Sequence, residues 1–256
     1  MINEHAVIHP SAKLAKGVTV GPGTIIGADV EIGEGTWIGP HVVIQGPTVI
    51  GKNNKIFQFA SVGDEPQDIT YNGEPTRLEI GDNNIIREFC MISRGTVKGG
   101  GLTRLGNQNF LMAYTHIGHD CMVGNNVIMV NYSALSGHVI VDDYVNIGAY
   151  AAVHQFCHIG MYAFIARATY VTKDVLPYVM IAGHTTSAYG INTVGLRRRG
   201  FSSAVIDSLR RAYKIVFRKG LTVQQAVAEL EILQKDCPEV LLMVDALNQA
   251  TRGIVR

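Results

Sequence analysis

The chain has 256 residues, enough for one large domain or two modest ones with a sizeable core. A formal net charge of +1 with 17% charged residues excludes the chain-wide basic field that gathers nucleic acid or an anionic bilayer, so any anionic ligand must be held locally. Glycine is frequent, at 28 residues, and aromatics make up 7%, a balance that suits repetitive β structure with tight turns better than a layered α/β enzyme.

The opening residues lack a basic segment followed by an apolar one, and no window reaches about 18 apolar residues. A cytoplasmic protein with no integral membrane segment is expected. From Ile8 an aliphatic residue returns at every sixth position, through Leu14, Val20, Ile26, Ile32, Ile38, Ile44, Ile50 and Ile56 to Val62. The phase resumes at Ile80, Ile86 and Ile92, breaks again, then runs unbroken from Leu105 to Val171.

Six is neither the helical period nor plain strand alternation, so each sextet must be a short strand plus a corner. Glycine often follows the aliphatic residue directly, as at Gly27, Gly39 and Gly124, which reads as a corner with backbone values that side chains resist. Three sextets make one 18-residue coil of a parallel β-helix, with coils stacked about 4.8 Å apart and the aliphatic ladders inside. The regular exposed faces of such a prism call for oligomerisation.

The two phase breaks read as loops expelled from the coil, over residues 64–77 and 95–104, and such loops are where binding groups gather. The first is polar. The second is glycine-rich but lacks the order of a P-loop and precedes no helix. Cys90, Cys121, Cys157 and Cys237 are widely spaced, which suggests reduced thiols and neither a zinc knuckle nor a disulfide framework.

Between Leu105 and Val171 the 18-residue arithmetic stacks His119, Gly137 and Gln155 in one column, with His116, Asp120, His138 and His154 flanking it. One reading is that the histidines are solvated corner residues. The functional reading makes His119 a general base whose tautomer Asp120 fixes, with the Gly137 N–H available to an oxyanion.

After Val171 the repeat ends, and Thr172–Ile191 reads as an extended connector containing Pro177. Val205, Leu209, Tyr213, Val216 and Phe217 then form a helical stripe between an N-cap at Ser202 and Gly220. Thr222 and Gln225 have capping-box spacing ahead of a second helix, and a last helix follows Pro238. The expected organisation is a β-helix over residues 1–189 and a helical domain over 190–256. Residues 190–220 hold eight basic residues, among them Arg197, Arg198 and Arg199, against the single acidic Asp207. That run is either a solvated helix face or a surface for a diphosphate or an acidic protein.

Several segments together resemble one family, the UDP-N-acetylglucosamine 3-O-acyltransferases of lipid A biosynthesis. They are IHPSA (8–12), FQFASVG (57–63), RGTVKGGGLT (94–103), THIGHDC (115–121), GHVIVDD (137–143), VHQFC (153–157), GLRRRGF (195–201) and the terminal TRGIVR. The resemblance implies a left-handed parallel β-helix with a C-terminal helical domain, assembled as a homotrimer with active sites in clefts between neighbours. It implies transfer of a 3-hydroxyacyl group from acyl carrier protein to a UDP-amino sugar, with no metal, no cofactor and no covalent acyl-enzyme.

By position, His119 is similar to the family's general base, Asp120 to its orienting partner and the Gly137 amide to the oxyanion donor. Gln67, Asp68, His116, His138 and Gln155, with His154 beside them, match acceptor-sugar contacts. Asn192, Arg198 and Arg199 match residues that hold the uridine and phosphates. Four positions depart from the pattern: Thr70, Ser93 and Val194 replace a lysine, a histidine and a glutamate. Arg167 replaces a glycine or other small or apolar group that limits acyl length, which leads to the expectation of a shortened or polar-ended acyl groove.

Two other readings stay open: a zinc enzyme like the γ-type carbonic anhydrases, with His116, His119 and His138 as ligands, and a non-catalytic paralogue that binds a nucleotide sugar or acyl carrier protein. The sibling N-acyltransferase of the same pathway usually adds an N-terminal domain, which the start of the repeats at Ile8 does not leave room for.

Overall fold

A computed structural model describes residues 1–183 and 186–256. Among these residues the repeats form a three-sided prism of parallel strands, mostly two residues long, and helices follow it. The first face runs from Val7–Ile8 to Tyr170–Val171, the second from Lys13–Leu14 to His158–Ile159, and the third from Thr19–Val20 to Phe164–Ile165. In each strand one side chain points outward and the ladder residue points in. Ile26, Ile44, Val62, Ile92, Ile117, Leu135, Val153 and Val171 stack along the first face, none more than 1% exposed. Burying each such side chain stabilises the coil by about 1.5–3 kcal/mol.

The corners correct one expectation. Left-handed φ values fall on the third residue after the ladder position, such as Asp29 at 56°, His41 at 53°, Asp120 at 60° and His138 at 62°, and not on Gly27, Gly39 or Gly124. Space is what requires the equivalent Gly33, where a Cβ would lie 2.6 Å from the backbone of Gly51 in the next coil, whereas at Gly27 and Gly124 it would first meet the end of the Gln45 or Asp143 side chain. The cost of a left-handed side-chain residue, about 1–2 kcal/mol, is offset by an inter-coil hydrogen bond such as His138 N–H to the His119 carbonyl at 2.9 Å. The intervening residue, second after the ladder, finds no carbonyl in the next coil, and Pro22 and Pro40 occupy that place.

The faces differ outside. Trp37, Ile85, Phe110, Ile128 and Phe164 project from the third face and Ile25, Val43, Met91, Ala134 and Ala152 from the first. The edge joining these faces carries a stack of His41, Phe59, Phe89, Tyr114, Tyr132 and Tyr150, with centroids 4.7–5.7 Å apart. The second face instead bears ion pairs, Lys13 with Glu31, Arg104 with Glu79, and His158 with Asp142.

The expected connector is partly strand. Val179–Ala182 joins the third face beside Phe164–Ile165 with Val179 and Ile181 alternating into the core, and Ser187–Ile191 returns antiparallel through a register shift, burying Ala188 and Ile191. Residues 184 and 185 of that segment lie outside the described ones. This last strand runs past residue 190, and helix α1 (Thr193–Arg198), absent from the periodicity reading, begins with Asn192 as its cap. Then come α2 (Ser203–Arg218), capped by Ser202, α3 (Val223–Leu233), with both halves of the Thr222–Gln225 box, and α4 (Leu241–Gln249) after a turn at Pro238. The α2 stripe buries Ile206 and Ala212 as well as Leu209, Tyr213 and Val216, while Val205 and Phe217 are only partly covered. The chain end is stitched back to the prism by the Asp174 N–H to Gly253 and the Val255 N–H to Asp174. Among the described residues no helix is long and apolar enough to cross a membrane.

His158 Nε2 and Asp142 Oδ1 are 2.9 Å apart, and that bond, with the charge of Asp142, raises the imidazole above its ordinary pKa. A raised histidine stabilises the fold below its unfolded pKa and loses that contribution as pH climbs through the folded value. Asp142→Asn is therefore expected to lower the melting temperature at pH 5.5 and leave it nearly unchanged at pH 8.5. An equal loss at both values would contradict the assignment.

Candidate active site

His119 follows ladder residue Ile117 by two places and stands at the corner of the first and second faces. Its Nδ1 lies 2.8 Å from Oδ2 of Asp120, whose left-handed backbone turns the carboxylate inward until the residue is 4% exposed. The second loop holds that carboxylate in place. Thr96 donates its N–H to Oδ1 at 2.8 Å and its hydroxyl to Oδ2 at 2.6 Å, and the Thr103 hydroxyl accepts the Asp120 N–H at 2.8 Å. A Cβ at Gly99 would collide with the same carboxylate. Nδ1 of His119 is thus committed as a donor and Nε2 is left as the base.

Beneath the imidazole lies Gly137. A Cβ there would stand 2.5 Å from Cε1 and 2.7 Å from Nε2 of His119, so only glycine fits under the ring. Its N–H belongs to the corner position that the coil leaves unbonded, and among the described residues it donates to no protein acceptor. A free amide close beneath a histidine with one open nitrogen is the arrangement that serves proton removal and oxyanion stabilisation together.

The flanking groups assemble as the columns predict. His138 stacks on Phe156 with centroids 4.4 Å apart and meets the His119 ring edge-on at 5.1 Å. Burial, then the charge of His119, lowers the pKa of His116; burial likewise leads at His138, against the opposing pull of Asp120. Lowered values make both rings weaker bases. The first loop joins this group: Gln67 donates to the Met91 sulfur at 2.8 Å, one strand from His116, and Asp68 is close enough to feel His119. Its carboxyl lies below the ordinary value, chiefly through bonds from the Thr70 backbone and hydroxyl. Gln155 is exposed at the corner after Gly137, and His154 contacts the Gln155 carbonyl and the Tyr170 ring.

The remaining residues lie elsewhere on the chain. Asn192 and Arg198 line a cleft of about 470 Å³ on the third face, with Phe164, Met180, Ile191 and Val194. The Asn192 side chain already serves the fold, accepting from the Gly195 N–H at 3.1 Å and donating to the Tyr162 carbonyl at 3.0 Å. Arg199 packs its guanidinium on the Tyr144 ring, 4.4 Å from the centroid. Arg167 is exposed at the edge between the third and first faces, and among the described residues its side chain forms no hydrogen bond or ion pair with the His119 group. The cleft lined by Asn192 and Arg198 thus lies on a different face from the His119 corner.

Sequence reasoning missed Thr96, Thr103, Gly99 and Arg94. Arg94, 9% exposed, donates to the carbonyl of Gly63 and to the hydroxyl of Tyr71, pinning the first loop to the coil. The run Gly99–Gly101 was the available signal, and its first glycine makes room for Asp120 rather than for a phosphate. His119, Asp120 and His138 have ligand atoms within 4.8 Å of one another, whereas His116 is not in that group. With Oδ2 already bonded by Thr96 and facing Nδ1 of His119, the cluster is built to orient an imidazole.

A β-helix carrying a histidine–carboxylate pair and a free amide on one corner defines a hexapeptide-repeat acyltransferase. Residues 29–64 match the bacterial transferase hexapeptide family, and residues 174–255 match the family described as UDP N-acetylglucosamine O-acyltransferase, domain 2. The acyl-[acyl-carrier-protein]–UDP-N-acetylglucosamine O-acyltransferase of Pseudomonas entomophila is 54% identical over 100% of this chain and 99% of its own. The solved LpxA of Acinetobacter baumannii is 48% identical, with a TM-score of 0.97 over 100% of this chain and 99% of its own. The UDP-N-acetylglucosamine acyltransferase of Arabidopsis is 36% identical, with a TM-score of 0.82 over 100% of both chains. The chain belongs to the family of UDP-N-acetylglucosamine O-acyltransferases.

Because Gly137 carries the His119 ring on its missing side chain, Gly137→Ala is expected to displace the base by about 1 Å and cut turnover about a hundredfold. Its melting temperature should stay within a few degrees of the parent's. Turnover equal to the parent's would show that the close packing is irrelevant to catalysis.

Proposed function

We propose that this protein transfers a 3-hydroxyacyl group from acyl carrier protein to the 3-position of UDP-N-acetylglucosamine, or of its 3-amino analogue, at the first step of lipid A biosynthesis in the cytoplasm. The observation that carries the mechanism is the 2.8 Å contact of His119 with Asp120 directly above the free Gly137 amide. Nε2 of His119 takes the proton from the acceptor hydroxyl or amine as its oxygen or nitrogen attacks the thioester carbonyl. The negative charge that develops on the carbonyl oxygen is met by the Gly137 N–H. Collapse expels the carrier thiolate, which recovers the proton from the imidazolium, so histidine and glycine end as they began. Asp120 stabilises the transient imidazolium and fixes its orientation.

Gln67, Asp68, His116 and His138 surround the base and suit the hydroxyls of the acceptor sugar, with His154 and Gln155 at the next corner. Asn192, Arg198 and Arg199 suit the nucleotide, Arg198 by a bidentate phosphate contact. These groups occupy separate faces of one chain, and the apolar first and third faces meet at an edge of stacked aromatics. We therefore favour a homotrimer in which the first face of one copy packs on the third face of the next, bringing each His119 corner to a neighbour's cleft. The ion-paired second face would then remain in water. The zinc reading has less support, since the predicted ligand His116 stands apart from the group that could gather an ion.

Arg167 adds a charged end where an acyl chain would run, and we read it as favouring shorter chains. His119→Ala should lower acyl transfer about a hundredfold to ten-thousandfold, the range that general-base catalysis supplies. Unchanged transfer by the purified variant would support a non-catalytic paralogue instead. Carrier proteins loaded with 3-hydroxyacyl chains of several lengths, offered to the parent enzyme and to Arg167→Gly, are expected to show preference moving to longer chains in the variant. A parent enzyme that already prefers the longest chain contradicts the role of Arg167.

A further inference from the structure

The tips of the two expelled loops meet beside the base. Lys98, on the short turn Val97–Gly99 of the second loop, reaches the first loop, and its Nζ donates to Oγ1 of Thr70 at 3.0 Å. Thr70 in turn donates its N–H and its hydroxyl to the same oxygen of Asp68, at 2.8 and 2.9 Å. Asp68 is also within electrostatic reach of both His119 and Lys98. Ammonium, hydroxyl and carboxylate therefore form one hydrogen-bonded chain within electrostatic reach of the imidazole.

Thr70 is the position at which the family pattern has a lysine, so the first loop of this chain lacks its cation and the second loop delivers one to the same place. The turn that carries Lys98 is anchored rather than loose. Thr96 caps it by accepting the Gly99 N–H, and the same Thr96 hydroxyl donates to Asp120. Two residues of one loop thus serve the two sides of the site, Thr96 the base and Lys98 the acceptor.

We propose that Lys98 is a positioning residue for the sugar nucleotide, doing from the second loop what a lysine at position 70 would do from the first. It acts through Thr70 to hold Asp68 toward the acceptor, and it has further N–H donors for oxygen atoms of the bound sugar nucleotide. The inference rests on the acceptor-side role of Asp68 proposed above. The competing reading is an exposed surface lysine whose contact with Thr70 has no consequence for binding.

Steady-state kinetics, with acceptor and donor varied separately, compare the parent with Lys98→Gln, Lys98→Arg and the double variant Thr70→Lys/Lys98→Gln. A charge-assisted bond of this kind is worth about a tenfold change in affinity. Lys98→Gln is expected to raise the KM for the acceptor about tenfold, with kcat changed less than about threefold and the donor KM unmoved. Lys98→Arg should stay near the parent, and the double variant should regain most of the lost acceptor affinity, because it returns the cation from the other loop. A thermal melt establishes that each variant is folded. An unchanged acceptor KM in Lys98→Gln, or a double variant no better than Lys98→Gln, overturns the proposal. A parent without acyl-transfer activity would sink the proposed function and this inference together, whereas an active parent indifferent to Lys98→Gln sinks only the inference.

Discussion

The structure depends on a single constraint, the inter-coil hydrogen bonding that holds each sextet in register with the coil beside it. Val153, Leu135 and Ile117 are register partners in succession, and the same spacing fixes every residue around them. It dictates which amides are bonded and which are not. The second corner residue is given no carbonyl at most corners, so its N–H is free at Gly137 and bonded to an Asn or Asp side chain at Lys52, Asp82, Asn107 and Asn125, while the third turns left-handed and recovers a bond to the coil before it. Proline can use that free position at Pro22 and Pro40. At Gly137 the same vacancy leaves beneath the His119 ring the N–H that the proposed mechanism uses, so this amide is a property of the coil before it is a property of any side chain.

What the repeat cannot supply comes from the loops expelled from it. An aspartate at a left-handed corner would ordinarily face water, yet Asp120 is buried because Thr96, Gly99 and Thr103 close over it. That enclosure gives the carboxylate defined partners and lets it hold the His119 ring against a glycine with no side chain to spare. The first loop is fastened separately, through the buried Arg94 guanidinium, and brings Gln67 and Asp68 to the same corner. A prism with two tied loops already holds the His119 corner in place.

Much of this was legible in the residues. The period of six gave the ladders, and the 18-residue spacing set His119 above Gly137 because unbroken coils preserve register. The arithmetic failed wherever register is interrupted: Thr96 and Thr103 lie in an expelled loop, so no column connects them with Asp120. The left-handed corner expected at the glycines after the ladder falls instead on the third residue, since spacing cannot distinguish a turn from a close approach. Helix α1 leaves no mark in the periodicity because six residues give too short a stripe, although its cap, Asn192, is among the residues to which the resemblance points. The substrates were legible only through resemblance, and the distribution of the predicted binding residues over separate faces was not legible at all.

The proposed homotrimer would make the site a joint product of two copies, the His119 corner of one chain and the Asn192–Arg198 cleft of another. The most direct measurement mixes two inactive variants, His119→Ala and Arg198→Ala, unfolds and refolds them together, and assays acyl transfer. Sites that pair the intact corner of one copy with the intact cleft of the next should restore activity to roughly a quarter of the parent's, as random mixing allows one such pairing in about four. Activity no higher than that of the two variants refolded alone would place both groups in one chain's site and contradict the account.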